Sequence, residues 1–278
     1  MKNLMIQKIK IFSLLVIFLT LFTQPGYALP TDSRVPGGIA IIDIGKNQLT
    51  PEFTFQKKKV LAQKVNDSWK LYIGLPLSIK PGEHSVKGHF GHHSALVRHF
   101  FTVKDKKYKT QSITIKNKRK VNPYANDMDR IIREKGIKNK ARKTLTNNIA
   151  ELDFIQPVEG ILTGSYGKRR VFNGQKRNPH SGMDIAANKG VPVKAAAAGK
   201  VIETGDFFFS GNMVYLNHGQ GLISLYAHLD TIKVKKGDVI KQGDILGTVG
   251  ETGRVTGPHL HWSVGLNQSW IDPALFIK

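Results

Sequence analysis

Residues 257–264 of this 278-residue chain have the sequence GPHLHWSV, and this stretch decides the fold predicted for the C-terminal half. The Gly-Pro pair marks a turn, and the residues that follow it predict a β-strand over 259–264. Side chains two residues apart in a strand point to the same face of the sheet. His259 and His261 are therefore predicted to face one site.

The segments upstream have a similar texture, in which glycine and proline separate short runs of apolar and β-branched residues. Few of these segments have a helical spacing. We predict further strands over 191–195, 199–204, 213–216, 221–225 and 244–249. Such a series of strands predicts an all-β domain over 153–278, with long loops at one end.

Residues 29–122 are predicted to form a small β-sandwich, because short extended runs alternate with turn signals. The candidate strands cover 38–44, 69–75, 99–103 and 112–115. Five histidines occur in this region, three of them in the segment GHFGHH at 88–93. A metal-binding tract is one interpretation, but Glu83 is the only carboxylate near the segment in sequence. We favour solvated histidines at a loop tip or crossover.

Residues 123–152 are predicted to form a basic linker helix, with the helical pattern clearest over 126–151. Four apolar residues in it fall near a 3.6-residue spacing, with Lys and Arg between or beyond them: Met128, Ile131, Ile132 and Ile137. We expect the basic face to be solvated. Its charge makes the helix the segment best suited to contact an anionic polymer.

The first 28 residues have the pattern of a secretory signal peptide, with a basic start and an apolar run at 11–22. Pro25, Gly26 and the small residue Ala28 follow, and we predict cleavage after Ala28. The mature protein is then exported, periplasmic or secreted, and has no stable membrane span. A retained membrane anchor is the alternative, although the apolar run is short for a span of about 20 residues.

The chain is strongly basic, with 42 Lys and Arg against 20 Asp and Glu and a formal net charge of +22. Residues 29–150 hold 25 basic and 9 acidic residues, whereas 151–278 hold 14 and 11. An excess of this size predicts an anionic partner. Because an exported protein rarely meets nucleic acid, we expect an anionic wall polymer or envelope surface to contact the basic N-terminal half.

The chain contains no cysteine, so any metal must be held by histidine and carboxylate side chains. His180 and Asp184 lie four residues apart across a glycine, and His228 follows a candidate strand. Together with the histidine pair at 259 and 261, they suit a catalytic zinc site, which uses three such ligands and leaves a fourth position for water. The remaining imidazoles can transfer protons. The alternative is a set of structural histidines that cap loops.

The motifs of this half occur in the same order as those of peptidase family M23, and the chain resembles that family. They are HSGMD at 180–184, GVPVKA at 190–195, GKV at 199–201, GNMV at 211–214, NHG at 217–219, YAHL at 226–229, VKKG at 234–237, ETG at 251–253 and GPHLH at 257–261. Family members are lysostaphin-like zinc endopeptidases that cut peptide cross-links of peptidoglycan. The resemblance covers nearly all of 153–275. The first half resembles, more loosely, the N-terminal domain that precedes such peptidases in some Gram-negative bacteria.

This resemblance implies a role for each candidate site residue. Zinc would be bound by His180, Asp184 and His261, while His228 and His259 would assist the water or the oxyanion. His218, in the Asn-His-Gly turn, is expected to be structural. Some members place a catalytic tyrosine just before the first motif, and residues 170–179 contain none. Three residues there are candidate substrate contacts: Arg170, Asn173 and Arg177.

The functional hypothesis is therefore a zinc metalloendopeptidase that hydrolyses peptide cross-links of peptidoglycan in wall remodelling. One alternative is a catalytically vestigial wall-binding protein or an activator of other wall hydrolases. The complete set of ligand motifs argues against it, because inactive relatives have lost zinc ligands. A second alternative, a polyanion-binding adhesin or DNA-binding protein, explains the charge but leaves the zinc motifs without a purpose. The sequence leaves open which cross-link bond is cut.

Overall fold

A computed structural model describes residues 29–91 and 94–277 of the chain. The predicted signal peptide and two histidines of the GHFGHH segment, His92 and His93, lie outside the described residues. In this range the structure has one α-helix, α1, Met128–Arg142. Its strands are β1 Ile39–Asp43, β2 Pro51–Phe55, β3 Lys58–Lys59, β4 Leu61–Val65, β5 Ser68–Gly74, β6 Gly82–Phe90, β7 Val97–Val103, β8 Thr110–Ile113, β9 Ile161–Gly164, β10 Arg169–Phe172, β11 Gln175–Lys176, β12 Met183–Ala186, β13 Pro192–Lys194, β14 Gly199–Phe207, β15 Gly211–Gly219, β16 Leu222–Ile232, β17 Val239–Ile240, β18 Ile245–Val249, β19 Leu260–Leu266 and β20 Ser269–Ile271.

The N-terminal region is a sandwich of two antiparallel sheets, with strand orders β1-β5-β4 and β3-β2-β6-β7. Alternate residues of β2 are buried, as expected for a strand with one face in a core. The core between the sheets contains Leu71 and Ile73 from one side and Phe53, Val86 and Phe101 from the other. The predicted β-sandwich is confirmed.

The C-terminal region is built on a ten-stranded sheet whose main path is β17-β14-β15-β16-β19-β12-β9. The long strand β16 pairs with β19 through its first half and with β18 through its last residues. This change of partner bends the strand and brings its middle residues to the mouth of the sheet. Trp262 and Tyr226 are fully buried in the core beneath it. The predicted all-β architecture is confirmed.

The helix is shorter than predicted, and only part of the predicted apolar stripe packs against the C-terminal region. It ends at Arg142, nine residues before the predicted end, where Thr and Asn residues of low helix propensity follow. Among the apolar residues of the predicted stripe, Met128 is 43% and Ile132 is 62% exposed. The buried positions are Glu134 and Ala141, which face the β14–β15 hairpin. Ile137 of the stripe packs in the same cluster as Ala141, so the apolar spacing identified the packed face only in part, and it did not predict the buried Glu134.

Two histidines of the sandwich outside the GHFGHH segment lie on strands, whereas that segment runs from the end of β6 into the connection to β7. His84 on β6 packs against Phe101, with ring centroids 6.0 Å apart, and His99 on β7 packs against Phe53 at 5.7 Å. Both rings are partly buried. Burial lowers the pKa of His99, which favours the neutral ring. These histidines contribute to the core of the sandwich.

The two regions share part of their core. Ile39, Leu61 and Tyr72 of the sandwich are buried in the same apolar cluster as the C-terminal sheet. The side chain of Asn267 accepts a hydrogen bond from the Gly74 backbone N–H at 2.6 Å and donates one to the Gly74 carbonyl at 3.0 Å. Both partners are buried, so these bonds fix the sandwich against the C-terminal sheet.

The chain leaves the sandwich through β8, which pairs in parallel with β10 of the C-terminal region. Strand β8 and helix α1 therefore lie beside the same end of the C-terminal sheet. None of the helices among residues 29–91 and 94–277 has both the length and the apolar character needed to cross a membrane.

Candidate metal and active site

Three predicted ligands converge on one point at the mouth of the C-terminal sheet. His180 Nε2 lies 2.9 Å from Asp184 Oδ1 and 3.0 Å from His261 Nδ1, and the latter two atoms are 2.8 Å apart. Within the described part of the chain, these residues form the one group of three or more His, Cys, Asp or Glu side chains that could hold a metal ion.

Strand pairing accounts for this convergence. Asp184 on β12 and His261 on β19 are direct register partners, so their side chains stand next to each other on one face. His180 precedes β12, and its backbone N–H donates to the Lys168 carbonyl at 2.9 Å. The chain between His180 and Asp184 passes very close to β19 at Gly182. A Cβ there would lie 2.3 Å from the Trp262 carbonyl oxygen, so only glycine fits.

Neighbouring groups orient each of the three ligands. The Nδ1–H of His180 donates to the Ser165 carbonyl at 2.9 Å, which leaves the lone pair of Nε2 directed at the site. His261 Nε2 lies 2.9 Å from the Ser263 hydroxyl, so its Nδ1 can also present a lone pair. Arg170 donates from Nη2 to Asp184 Oδ2 at 2.8 Å, which turns Oδ1 towards the two imidazoles.

The donor set fits a zinc ion. Two imidazole nitrogens and a carboxylate oxygen, all within about 3 Å of one another, can each bond one ion at about 2.0–2.2 Å. Burial acts to raise the pKa of Asp184, but the adjacent His180 and His261 rings outweigh it and hold that pKa well below its ordinary value. Burial lowers the pKa of His261. The carboxylate is therefore charged and the imidazole is neutral, as metal ligation requires.

His228 and His259 flank this group without joining it. The Nδ1–H of His228 donates to the Thr252 carbonyl and that of His259 to the Gly257 carbonyl, each at 2.8 Å. Their Nε2 atoms are therefore free of the ring proton when the rings are neutral. The two ring centroids are 4.9 Å apart, and His259 Nε2 lies 3.8 Å from Asp184 Oδ1.

The backbone of His228 has a φ of +65°, in the left-handed region that a non-glycine residue seldom adopts. This conformation occurs where β16 changes partner, and it turns the imidazole towards the ligands. Burial, reinforced by repulsion from His259 and His261, holds the pKa of His228 well below its ordinary value. A neutral ring with an available Nε2 can accept a proton at neutral pH.

His218 lies apart from this site. Its Nδ1 contacts the Ala198 carbonyl at 2.6 Å, its Nε2 contacts the Ser224 hydroxyl at 2.8 Å, and its ring packs on Phe154. Burial lowers the pKa of His218 to about 4. These contacts fit the structural role implied for it by the sequence resemblance.

The three predicted substrate contacts have different surroundings. Arg170 and Arg177 line a cavity of about 870 Å³ that opens beside the ligand group. Arg170 is already engaged with Asp184, whereas Arg177 donates to the Val121 carbonyl at 3.0 Å. Asn173 uses both polar atoms of its amide on the backbone of Ile115, at 2.8 and 3.1 Å, and does not line the cavity. A substrate contact by Asn173 stays a prediction, with its amide occupied in the structure.

The sequence did not identify the walls of this cavity. Strand β8 supplies Gln111 and Ser112, and helix α1 supplies Lys135, Lys138 and Arg142 to the lining. Arg254, seven residues before His261, also lines it. The only sequence signal for Arg254 was its position between the ETG and GPHLH segments. The cavity residues of α1 could not be predicted from the sequence, because their position depends on how the helix packs against the C-terminal region.

Two parts of the chain match known domain families. Residues 178–273 match peptidase family M23, and residues 32–106 match the peptidase family M23 N-terminal domain. The structure is similar to that of a Pseudomonas aeruginosa protein described as a candidate M23 peptidase, with a TM-score of 0.75 and 36% sequence identity. That similarity covers 88% of this chain and 95% of the other.

Curated relatives share about a third of the chain. The chain is 39% identical over 104 residues to the peptidoglycan DD-endopeptidase ShyA of Vibrio cholerae, which is 37% of this chain and 24% of ShyA. It is 42% identical over 94 residues to the DD-carboxypeptidase/endopeptidase Mpg of Neisseria meningitidis, which is 34% of this chain and 22% of Mpg. The matched segments span less than a quarter of the length of these relatives.

Proposed function

This chain belongs to peptidase family M23, and we propose that it is a zinc-dependent endopeptidase that hydrolyses peptide cross-links of peptidoglycan. The observation that carries the proposal is the arrangement of five side chains at one cavity. Two imidazoles and a carboxylate converge on a point, and two further imidazoles stand beside them with available Nε2 atoms.

His180, Asp184 and His261 would hold the ion. Zinc, when bound, supplies Lewis acidity, which polarises a carbonyl group and lowers the pKa of water to about 7. Arg170 would orient the Asp184 carboxylate, because its guanidinium binds Oδ2, the oxygen that does not contact the two imidazoles. Ser165 and Ser263 hold the two imidazoles in the required tautomers.

His228 and His259 would move protons during peptide hydrolysis. A neutral His228 Nε2 can take a proton from the attacking water, and the resulting imidazolium can deliver one to the amine that leaves. The Thr252 and Gly257 carbonyls keep Nδ1 protonated in each ring, so the exchangeable proton is confined to Nε2. Either ring, once protonated, can also donate to a developing oxyanion.

The substrate proposal draws on the relatives and on the cavity. ShyA is named as a peptidoglycan DD-endopeptidase and Mpg as a DD-carboxypeptidase/endopeptidase. An open cavity of about 870 Å³ is large enough to take a peptide stem. The complete ligand group supports an active enzyme over a vestigial wall-binding protein or an activator of other hydrolases.

We further propose that the protein acts outside the cytoplasm, in the periplasm or after secretion, where its substrate lies. Peptide stems and anionic envelope or wall polymers are then its partners, and the basic N-terminal half would attract the polymers. The high charge of residues 29–150 supports this role, since cations on an exposed surface raise the local concentration of polyanions.

The test is digestion of purified, cross-linked sacculi by the full chain, with released muropeptides identified by mass. We expect cross-linked dimers to be converted to monomers, loss of this conversion after chelation, and recovery when zinc is added back. Products with intact cross-links and cleaved glycan or amide bonds would contradict the endopeptidase assignment. No products in any condition, with stimulation of a second hydrolase, would favour the activator instead.

A further inference from the structure

The cavity beside the ligand group carries charge of one sign. Six Lys and Arg side chains line it, and Asp184 is the one Asp or Glu among its lining residues. The basic residues are Lys135, Lys138, Arg142, Arg170, Arg177 and Arg254. Asp184 is already bound by Arg170 and faces two imidazoles, so it neutralises none of the others. The cavity therefore attracts an anionic ligand.

Arg254 is the cation held most firmly in this wall. Its guanidinium carbon lies 4.7 Å from the ring centroid of Phe172 and 4.6 Å from that of Phe209. Two aromatic rings thus clamp the planar group by cation–π contacts. Its backbone N–H donates to the Phe209 carbonyl, which fixes the loop that carries it. The N–H edge of the guanidinium remains for a ligand in the cavity.

Among the described residues, Arg254 also differs from the other partly buried arginines in having no hydrogen-bond partner for its guanidinium. Within the described part of the chain, Arg34, Arg130 and Arg170 pair with carboxylates. Arg142 and Arg177 donate to amide and carbonyl oxygens. No ion pair or side-chain hydrogen bond engages the Arg254 guanidinium among those same residues. Burial, with repulsion from Arg177 and Arg170, lowers the pKa of Arg254 to about 10. The group is still charged at neutral pH, and its charge is uncompensated.

Lys138 of helix α1 adds a second cation on the facing wall. Its Nζ lies 5.8 Å from the ring centroid of Phe207, and the side chain is partly buried. Burial lowers the pKa of Lys138, Glu134 acts against this shift, and the charge of Arg254 adds to it. Lys138 and Arg254 line the same cavity, so an anion bound there would be attracted by both charges.

We propose that Arg254 and Lys138 bind a free carboxylate of the substrate peptide, and so select peptide stems whose carboxyls are not amidated. This inference rests on the proposed endopeptidase function. A guanidinium presents parallel N–H donors that match the two oxygens of a carboxylate, and a clamped guanidinium loses little freedom on binding. A carboxamide of the same shape carries no charge, and its NH₂ group is a donor that cannot hydrogen-bond to the N–H donors of arginine.

This role also explains why the helix lies against the peptidase region. Glu134 accepts from Arg130 at 2.6 Å and from the Phe208 backbone N–H at 2.8 Å, which docks α1 beside the Phe207–Phe209 segment. That segment contributes one face of the Arg254 clamp and the ring under Lys138. The linker helix and the peptidase region thus complete one subsite together.

The test compares two substrates with three forms of the full chain. The substrates are a purified cross-linked muropeptide dimer with free carboxyls and the same dimer with these groups converted to carboxamides. The proteins are the wild type, Arg254→Gln and, as a matched control, Arg133→Gln, which removes an exposed arginine of α1 that does not line the cavity. The readout is the ratio of kcat/KM for the free over the amidated dimer.

We expect a ratio of about 10 to 100 for the wild type and for Arg133→Gln, because hydrogen bonds between charged groups are among the stronger ones. In Arg254→Gln the ratio should fall towards one, mainly through KM for the free dimer, and Arg254→Lys should recover part of it. Lys138→Gln should reduce the ratio as well, which keeps the test valid if Arg254→Gln loses its fold.

Two contrary results are distinguishable. A wild-type ratio near one, or an unchanged ratio in Arg254→Gln with normal zinc content, would overturn the carboxylate subsite and leave the endopeptidase function standing. If the wild type cleaves neither dimer, the proposed function fails, and the subsite inference fails with it.

Discussion

The N-terminal sandwich and the C-terminal region, residues 151–277, use their charge in opposite ways. In the sandwich, lysines such as Lys64, Lys87 and Lys107 are spread over exposed positions. In the C-terminal region, where basic and acidic residues are nearly balanced, Arg170, Arg177 and Arg254 converge on one cavity. The net charge of a region thus gives the size of its attraction for anions, and only the fold shows where that charge acts.

The histidines show the same contrast. His84 and His99 of the sandwich pack against aromatic rings, with no carboxylate among their contacts. In the C-terminal region, Asp184 lies beside His180 and His261, and its negative charge would partly neutralise a metal ion bound by the three side chains. A carboxylate at the point of convergence distinguishes a metal site from histidines that fill a core.

The largest expected effect is at the three ligands. His180→Ala, Asp184→Asn and His261→Ala should each abolish cleavage of cross-linked muropeptides, because each removes one of three protein ligands. His84→Ala in the sandwich is the matched control and should keep wild-type activity. The measurement is the rate of dimer cleavage, with circular dichroism as a check on folding. Substantial activity in any ligand variant would remove that residue from the site.

The flanking histidines should give a smaller loss. His228→Ala and His259→Ala are expected to lower kcat by about 10²–10⁴-fold, the range typical of general acid–base groups, while the metal is retained. The pH profile of the surviving activity should also lose the limb that the missing group titrates. Wild-type rates in either variant would refute its catalytic role.

A buried histidine away from the site should make stability depend on pH. The pKa of His218 is about 4 in the folded chain, below the ordinary value of about 6.5, so the unfolded state binds more protons between these values. Stability is full above about pH 6.5 and falls as pH drops towards 4, by up to about 3 kcal/mol.

Denaturant unfolding of wild type and His218→Gln across this pH range measures that contribution. The variant should be less stable at pH 7 and should show a shallower pH dependence, whereas the sandwich variant His84→Gln should keep the wild-type slope. Parallel curves for wild type and His218→Gln would show that burial of this imidazole is not linked to protonation.

Arg170 was predicted to contact substrate, and the structure places it against a metal ligand. Arg170→Gln should therefore weaken zinc affinity by about 10–100-fold, as loss of a group that orients a ligand typically does. Arg177→Gln, on the same cavity wall, should leave zinc affinity unchanged. Competition with a chromogenic chelator measures both. Equal zinc affinity in the two variants would return Arg170 to the substrate contacts.

The smallest effect concerns the exposed cations of the sandwich. Replacing Lys104, Lys107 and Lys109 with Gln should weaken binding to sacculi at low salt at least about threefold, since exposed ion pairs contribute about 0.2–1 kcal/mol each. The difference should vanish at high salt, where charges are screened.

The matched control replaces three exposed lysines of the C-terminal region, Lys233, Lys235 and Lys241. We expect the affinity of this control variant for sacculi to be closer to that of the wild type. A co-sedimentation series over salt concentration measures both triple variants. Equal losses would remove the special role of the N-terminal region in wall attraction.

Sequence reasoning predicted the local features of this molecule best. Alternating and apolar runs identified β1, β5, β14 and β19, and the two-residue spacing of His259 and His261 correctly predicted side chains on one face. Asp184 and His261 were assigned to one site through the family motifs, because residue spacing alone does not specify which strands pair.

Features that depend on docking were missed. The packed face of α1 is formed around Glu134, a residue that an apolar pattern excludes, and its burial depends on the Phe208 backbone N–H and Arg130. The cation–π clamp of Arg254 joins residues 172 and 209, which no local pattern connects. Contacts of this kind follow from the tertiary arrangement.

The central claim is that His261 binds the metal and His259, two residues before it, does not. Zinc content per chain, measured on purified wild type, His259→Ala and His261→Ala after equilibration with zinc and removal of excess, tests this claim most directly. We predict one zinc per chain in the wild type and in His259→Ala, and none in His261→Ala. Retention of zinc by His261→Ala, or equal loss from both variants, would contradict the account.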